Sequence, residues 1–326
     1  LVETAEALDG TAHEFQKAGY RVFIGQARLA GRLENRSSGG PKNGLEQVAL
    51  LDLPAHIREV LRITGARQVH LWGHSMGGIM MLAAFSNDAI RAELESRVAG
   101  VTLLTTPHDL RSLSATLRIG MKALLPALKG ARRLVGAQTL EPHHSLFDLT
   151  YRLKSSGNRA QIAIARAVES AAIKLGSFIF TRELIDLNHT SPQALRRLWF
   201  KEISVLPLDL LIDFAQAVVD GEFTNSDGYP LIVPENFRLP VQVLRAEQDQ
   251  LVPWQAQEDL FARLGSRVKR LVNLRGLRHV GAVTNDLPET NYMPLALEFH
   301  SDPQKSLKRG WMRDFSPGCL ELLRPS

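Results

Sequence analysis

The chain has 326 residues, of which 44% are hydrophobic and 22% charged, and its net charge is +5. That length can bury a large core, as one large domain or a domain with an insertion, and the composition excludes a disordered chain or a fibrous repeat. The single cysteine, Cys319, excludes an intramolecular disulfide and fits a reducing compartment, so a cytoplasmic location is the expectation.

No apolar run reaches the roughly 18–20 residues of a spanning helix, and no basic segment precedes an apolar one at the amino terminus. Between Arg111 and Lys174 eleven Lys and Arg face three acidic residues, Glu141, Asp148 and Glu169. A solvated helix face explains this excess, and it also permits weak association with an anionic membrane surface. Nucleic acid is not an expected partner, because no zinc-ligand spacing, aromatic-interleaved basic strand or recognition-helix motif accompanies the charge.

Residues 1–19 have helical spacing, and Gly19 closes them. Tyr20 to Ile24 form a β-rich run, and 30–44 have the composition of a loop. Leu45 to Thr64 return to apolar repeats at threes and fours, which predicts a helix ended by Gly65 with Pro54 early in it or at a break. Val69 to Trp72 then form a short buried strand, and Ile79 to Ala84 begin a packed helix running to about Asp88.

Ser75 lies at the corner between that strand and that helix, in the stretch VHLWGHSMGGI. Gly73 and Gly77 give the spacing G-x-S-x-G of a nucleophile elbow, a turn so tight that side chains at those two positions are expected to strike neighbouring backbone. Such a corner lifts the hydroxyl clear of the sheet. It also aims the N–H groups of the new helix, Met76 first, at a developing negative charge, which makes Met76 the candidate oxyanion donor.

Val98 to Leu104 form another buried strand, after which the strand–helix alternation stops until about Leu239. The block 107–239 has a helical pattern, with Leu113, Leu117, Met121, Leu124 and Leu128 on one face, Ile162, Ala165, Ala172 and Ile173 in a second segment, and Ser191-Pro192 as a helix start. A further helix from about Leu208 to Asp220 stops at Gly221. Alternation resumes with Val241–Ala246, Trp254–Leu264, Val268–Leu274 and a helical piece near Tyr292–His300. A mostly parallel α/β sheet with helices on both faces follows. Its parts are a first core segment 1–106, a helical cap insertion 107–239, a second core segment 240–300 and a tail 301–326.

Taken together, GHSMGG, the later AEQDQLVPW and RGLRHVG resemble the α/β-hydrolase superfamily. In that family the chain order is nucleophile, acid, histidine, with the acid after the penultimate strand and the histidine after the last. The resemblance therefore implies Ser75 as nucleophile, Asp249 as acid and His279 as base, with Glu247 or Asp109 as substitute acids. His74 occupies the variable position of the elbow. His143 and His144 are an adjacent pair without other ligand types, and no metal or cofactor is implied.

A finer resemblance points to two chemistries. GHSMGG is common in esterases, lipases and carbon–carbon bond hydrolases, whereas DQLVPW, HVGAVTN and VTLLTTP resemble segments of polyhydroxyalkanoate synthases. Those acyltransferases carry cysteine at the elbow and this chain carries serine. A serine esterase or lipase-like hydrolase acting on a small-molecule ester with a hydrophobic acyl group is the leading expectation. An acyltransferase and a non-catalytic hydrolase-fold binding protein are the alternatives. The family also carries a strand and a His-Gly loop ahead of its first large helix, and this chain has no counterpart. The resemblance thus implies missing amino-terminal strands and either direct contact or an open groove between the segments 20–24 and 69–72.

Overall fold

Residues 2–3, 10–29, 42–113, 115–134, 139–140, 159, 162, 206–284, 292–304 and 312–315 are described by the structure, a computed structural model. The adjacent histidines His143 and His144, the segment 162–173 apart from its first residue, Ser191-Pro192 and Cys319 lie outside the described residues.

The chain opens with β1 (Val2–Glu3), α1 (Gly10–Lys17) and β2 (Phe23–Ile24). Here the expectations need correction. Val2 and Glu3 belong to a strand, not a helix, because they pair antiparallel with Ile24 and Phe23, and only the last two residues of the 20–24 run are strand. Short-range spacing cannot reveal a partner about twenty residues away.

A helical turn at Leu45–Gln47 and a π-helical turn at Val48–Asp52 lead into α2 (Leu53–Thr64). Pro54 lies in the first turn of α2, directly after the π-helical turn, which places it at a break in the regular α-helical run. Gly65 ends the helix with φ 67°, the left-handed conformation that glycine adopts without a Cβ clash. Next come β3 (Val69–His74), α3 (Met76–Ser86), α4 (Asp88–Leu94) and β4 (Val98–Leu104). Asn87 separates α3 from α4 because its side chain accepts the Ala89 and Ile90 amides, an N-cap that starts a new helix.

From β4 the chain passes to α5 (Ala115–Leu134) and α6 (Leu208–Asp220), then to β5 (Val241–Ala246), α7 (Trp254–Arg263), β6 (Lys269–Leu274), α8 (Met293–Ser301) and β7 (Met312–Phe315). The buried face of α5 is Leu125 and Leu128, packed on Leu208 and Ala215 of α6, while Leu124 is exposed. Of the expected face, Leu128 is buried and Met121 packs against the same cluster, and at one position the structure differs, with Leu125 turned inward in place of Leu124.

Strands β3 to β7 form one five-stranded sheet in that order, with every neighbouring pair parallel. On one face Leu71, Val101, Leu103, Val241, Val243 and Leu271 pack against α2, α3, α4 and α7. On the other, Leu104, Leu244 and Val272 pack against Phe15 of α1 and Leu295 and Ala296 of α8. Layers on both faces explain why these strands are near-continuous apolar runs.

One buried row on the α8 face is polar. Thr102, Gln242 and Arg270 are register neighbours across β4, β5 and β6. Gln242 Nε2 donates to Thr102 Oγ1 at 2.7 Å, and Arg270 Nη2 donates to Gln242 Oε1 at 2.9 Å and also to the Leu295 carbonyl. His300 of α8 meets Thr102 Oγ1 through Nε2 at 2.7 Å and His70 through Nδ1 at 3.0 Å. These bonds offset much of the cost of burying polar side chains, and Arg270 Nη1 lies 3.6 Å from Glu298 Oε2 as an ion pair.

β3 is an edge strand of this sheet. Along its outer side runs a cavity of about 580 Å³, bounded by Phe15, Tyr20, Phe23, Ile57, Trp72 and, at its upper end, Gly77. An open groove thus separates β3 from the 20–27 segment, and residues 2–3 pair with β2 instead of filling it. No described helix is long and apolar enough to cross a membrane.

Candidate active site

The end of β3 and the start of α3 place Ser75 at φ 50°, ψ −113°, a conformation rare for a residue with a Cβ. Its N–H donates to the Leu104 carbonyl at 2.9 Å, which ties the corner to the end of β4. The strain is held in place by packing on both sides.

The glycines around it divide the work differently from the sequence expectation. A Cβ on Gly73 would lie 2.6 Å from the Gly78 nitrogen and 2.7 Å from the Gly77 carbonyl carbon, so Gly73 is required by backbone contact. A Cβ on Gly77 would meet nothing within 4 Å, because that position opens on the groove. The tight position on the helix side is Gly78, where a Cβ would fall 1.9 Å from Thr106 Oγ1. Close approach of α3 to the loop after β4 is the reason.

His279 is in the loop after β6 and Asp249 in the loop after β5. Both are buried, at 3% and 7% exposure. His279 Nε2 is 2.9 Å from Ser75 Oγ, and His279 Nδ1 is 2.7 Å from Asp249 Oδ2. An ionised carboxylate only accepts, so the Nδ1 proton points at Asp249 and Nε2 is left to accept from the serine hydroxyl. Asp249 Oδ1 is itself held by the Leu251 and Val252 amides, each at 2.9 Å. These bonds fix the carboxylate's orientation.

The two substitute acids are occupied elsewhere. Glu247 Oε2 accepts the Gly276 amide at 3.0 Å and thereby braces the turn leading to His279, a turn in which Gly276 has φ 74°. Asp109 accepts the Arg111 amide at 2.8 Å as the cap of a short 3-10 turn. Met76 begins α3, so its N–H is one of the helix-start donors that no carbonyl within the helix reaches.

Two further histidines were not assigned roles by the sequence. His74 is 3.0 Å from the His279 carbonyl through Nε2. His108, just past β4, contacts Asp259 at 2.9 Å, and burial holds its pKa below the ordinary value. The elbow pattern marks His74 only as a variable position, and no motif marks His108.

Known proteins share parts of this architecture. Two curated proteins named triacylglycerol lipase, from Pseudarthrobacter phenanthrenivorans and Burkholderia plantarii, are each 34% identical over 99 residues, or 30% of this chain. Those residues are 26% and 23% of the two lipases, so the chain spans about a quarter of the length of the curated relatives it matches. Among solved structures, an esterase from Exiguobacterium antarcticum aligns with a TM-score of 0.50 at 16% identity, over 91% of this chain and 90% of the esterase. DcsB, solved with a substrate analogue, aligns with a TM-score of 0.51 at 17% identity, over 90% of this chain and 84% of DcsB. At such identities the likeness is one of fold. The family model described as the alpha/beta hydrolase fold matches residues 10–281, from α1 to just beyond the histidine that faces Ser75, and the chain belongs to that family.

Proposed function

We propose that this chain is a serine hydrolase that cleaves a carboxylic ester with a hydrophobic acyl group through an acyl-enzyme on Ser75. The observation that carries the reading is the unbroken line of hydrogen bonds from Ser75 through His279 to Asp249, at 2.9 and 2.7 Å. Family membership and the lipase name of both curated relatives support ester chemistry as the reaction class.

In the first half-reaction the Ser75 Oγ–H proton passes to His279 Nε2 while Oγ bonds to the acyl carbon. The carbonyl oxygen takes the negative charge, facing the Met76 N–H at the start of α3. Asp249 holds the ring in the required tautomer and stabilises the imidazolium that forms. The C–O bond to the alcohol then breaks and His279 returns the proton to the leaving oxygen. Water repeats the sequence, leaving a carboxylic acid and free Ser75.

A hydrophobic acyl group suits the surroundings. Met76 and Met80 of α3, Met121 of α5, Phe214 of α6 and Leu251 of the acid loop are partly buried around one apolar cluster. Unbranched methionines adapt to varied apolar shapes. The test is labelling by a fluorophosphonate probe, with mass spectrometry to locate the adduct. Attachment at Ser75 that is lost in Ser75→Ala is the expected result. Failure of the folded wild-type chain to react at Ser75 refutes the reading, and added alcohol that diverts the product from acid to ester would favour acyl transfer over hydrolysis.

A further inference from the structure

The loop that carries His279 is short, and its two ends are not held in the same way. At its base, the Gln248 amide donates to the Leu277 carbonyl at 2.9 Å and the Gly276 amide donates to Glu247 at 3.0 Å, so the acid loop grips the histidine loop from below. Past the tip, the Ala282 amide returns to the Arg278 carbonyl at 3.0 Å as the chain enters the helical turn Gly281–Thr284. Among the described residues, the carbonyl of His279 is met by the imidazole of His74.

That imidazole comes from the last residue of β3, immediately before the elbow serine. A carbonyl oxygen accepts and never donates, so the proton of the His74 ring sits on Nε2 and points at His279. The two rings lie beside one another, with centroids 5.0 Å apart and planes inclined by 49°. Burial first, and the nearby His279 second, push the pKa of His74 down to about 3, so it is a neutral donor throughout the range in which esterases work. A charged ring at that distance would oppose the imidazolium that His279 becomes. A neutral one holds the loop without that penalty.

The strand that delivers the nucleophile therefore also delivers the anchor for the base. Because β3 ends at His74 and Ser75 follows directly, a movement of the elbow carries both the hydroxyl and the donor that holds the His279 peptide. We propose that His74 is a positioning residue for the Ser75–His279 pair, fixing the His279 carbonyl so that the imidazole keeps its reach to the serine oxygen; this rests on the serine hydrolase reading above. Without the bond, the His279 peptide is free to rotate between its base and the following turn, and the ring loses its alignment at the moment of proton transfer.

Small misplacements of a base are costly, since an ångström of drift reduces rate by on the order of 10²-fold. Glutamine provides the discriminating substitution, because its amide nitrogen lies the same number of bonds from the backbone as His Nε2. His74→Met fills similar space without a donor. In the full chain, hydrolysis of a p-nitrophenyl ester is expected to show kcat lowered on the order of 10- to 100-fold in His74→Met, with KM changed little. His74→Gln should recover most of that loss, and the phosphonylation rate of Ser75 should follow kcat in both. His74→Asn presents the same amide one bond short of the carbonyl and should behave as His74→Met does, which keeps the comparison available if the methionine variant does not fold. Wild-type kcat in His74→Met, or an equal loss in His74→Gln and His74→Met, overturns the proposal. If the wild-type chain labels at Ser75 and His279→Ala abolishes labelling while His74→Met labels normally, this inference alone fails. A folded wild-type chain that never labels removes the hydrolase reading and this inference with it.

Discussion

Alanine substitution at the three glycines of the elbow separates a steric requirement from a motif. At Gly73 the new methyl would sit 2.6 Å from one backbone nitrogen and 2.7 and 2.9 Å from a backbone carbon and oxygen, all in the Gly77–Gly78 segment. Nothing there is the end of a flexible side chain, so relief requires the start of α3 to move away from β3. Overpacking of this kind costs about 1–3 kcal/mol, and with backbone on the other side the upper end applies. At Gly78 the methyl would strike Thr106 at Oγ1, Cγ2 and Cβ, at 1.9, 2.6 and 2.8 Å. Thr106 is fully buried and branched at Cβ, so it has little room to turn aside, and a loss of similar size is expected. At Gly77 a methyl meets open space inside the first turn of α3, where alanine is favoured over glycine by roughly 0.5–1 kcal/mol. Urea unfolding of the three variants should give midpoints below wild type for Gly73→Ala and Gly78→Ala and at or above it for Gly77→Ala. A Gly77→Ala variant as unstable as Gly73→Ala would refute this account of the elbow.

Three further outcomes follow from the site and its supports. Asp249→Asn must keep its carbonyl oxygen toward the Leu251 and Val252 amides, which turns its NH₂ to His279 and forces the proton onto Nε2; kcat should fall about 10⁴-fold with the fold intact, and a loss under tenfold would contradict the assigned tautomer. His300 is buried, and burial, then His70 and Arg270, lower its pKa to about 3 from 6.5. The unfolded chain therefore takes up a proton below about pH 6.5 that the native ring refuses, so stability is full above that pH and falls by about 1.4 kcal/mol per pH unit toward pH 3 for this group. Urea midpoints between pH 7 and 5 should decline less steeply in His300→Gln than in wild type, and equal slopes would remove the claim. Arg28 binds Asp52 through its main-chain amide at 2.9 Å and its guanidinium at 2.6 and 3.0 Å, with both side chains largely shielded. Asp52→Ala, which strands that cation, should cost about 2 kcal/mol in thermal or urea unfolding, and no change would mean that the pair is solvated.

Local signals account for what was legible in the sequence. The strands at Val98–Leu104 and Val241–Ala246 and the helix Leu208–Asp220 fall where their apolar periods and the stop at Gly221 place them, since period and helix end are properties of consecutive residues. The order Ser75, Asp249, His279 was legible in another way, through the resemblance of GHSMGG, AEQDQLVPW and RGLRHVG to the α/β-hydrolase superfamily. Conversely, the strand Val2–Glu3 inside an expected helix depends on a distant pairing.

The sequence by itself therefore determined the alternating α/β class, the corner at Ser75 and the set of side chains from which an acid and a base could be drawn. Only the tertiary structure decided that Asp249, and not Glu247 or Asp109, meets His279, that Gly78 carries the close contact expected of Gly77, and that His74 holds the His279 carbonyl. The physical reason is distance along the chain. A tight turn or a helix end is settled by the covalent neighbours of a residue, whereas a hydrogen bond between residues 74 and 279 exists only once parallel strands bring their carboxyl ends side by side.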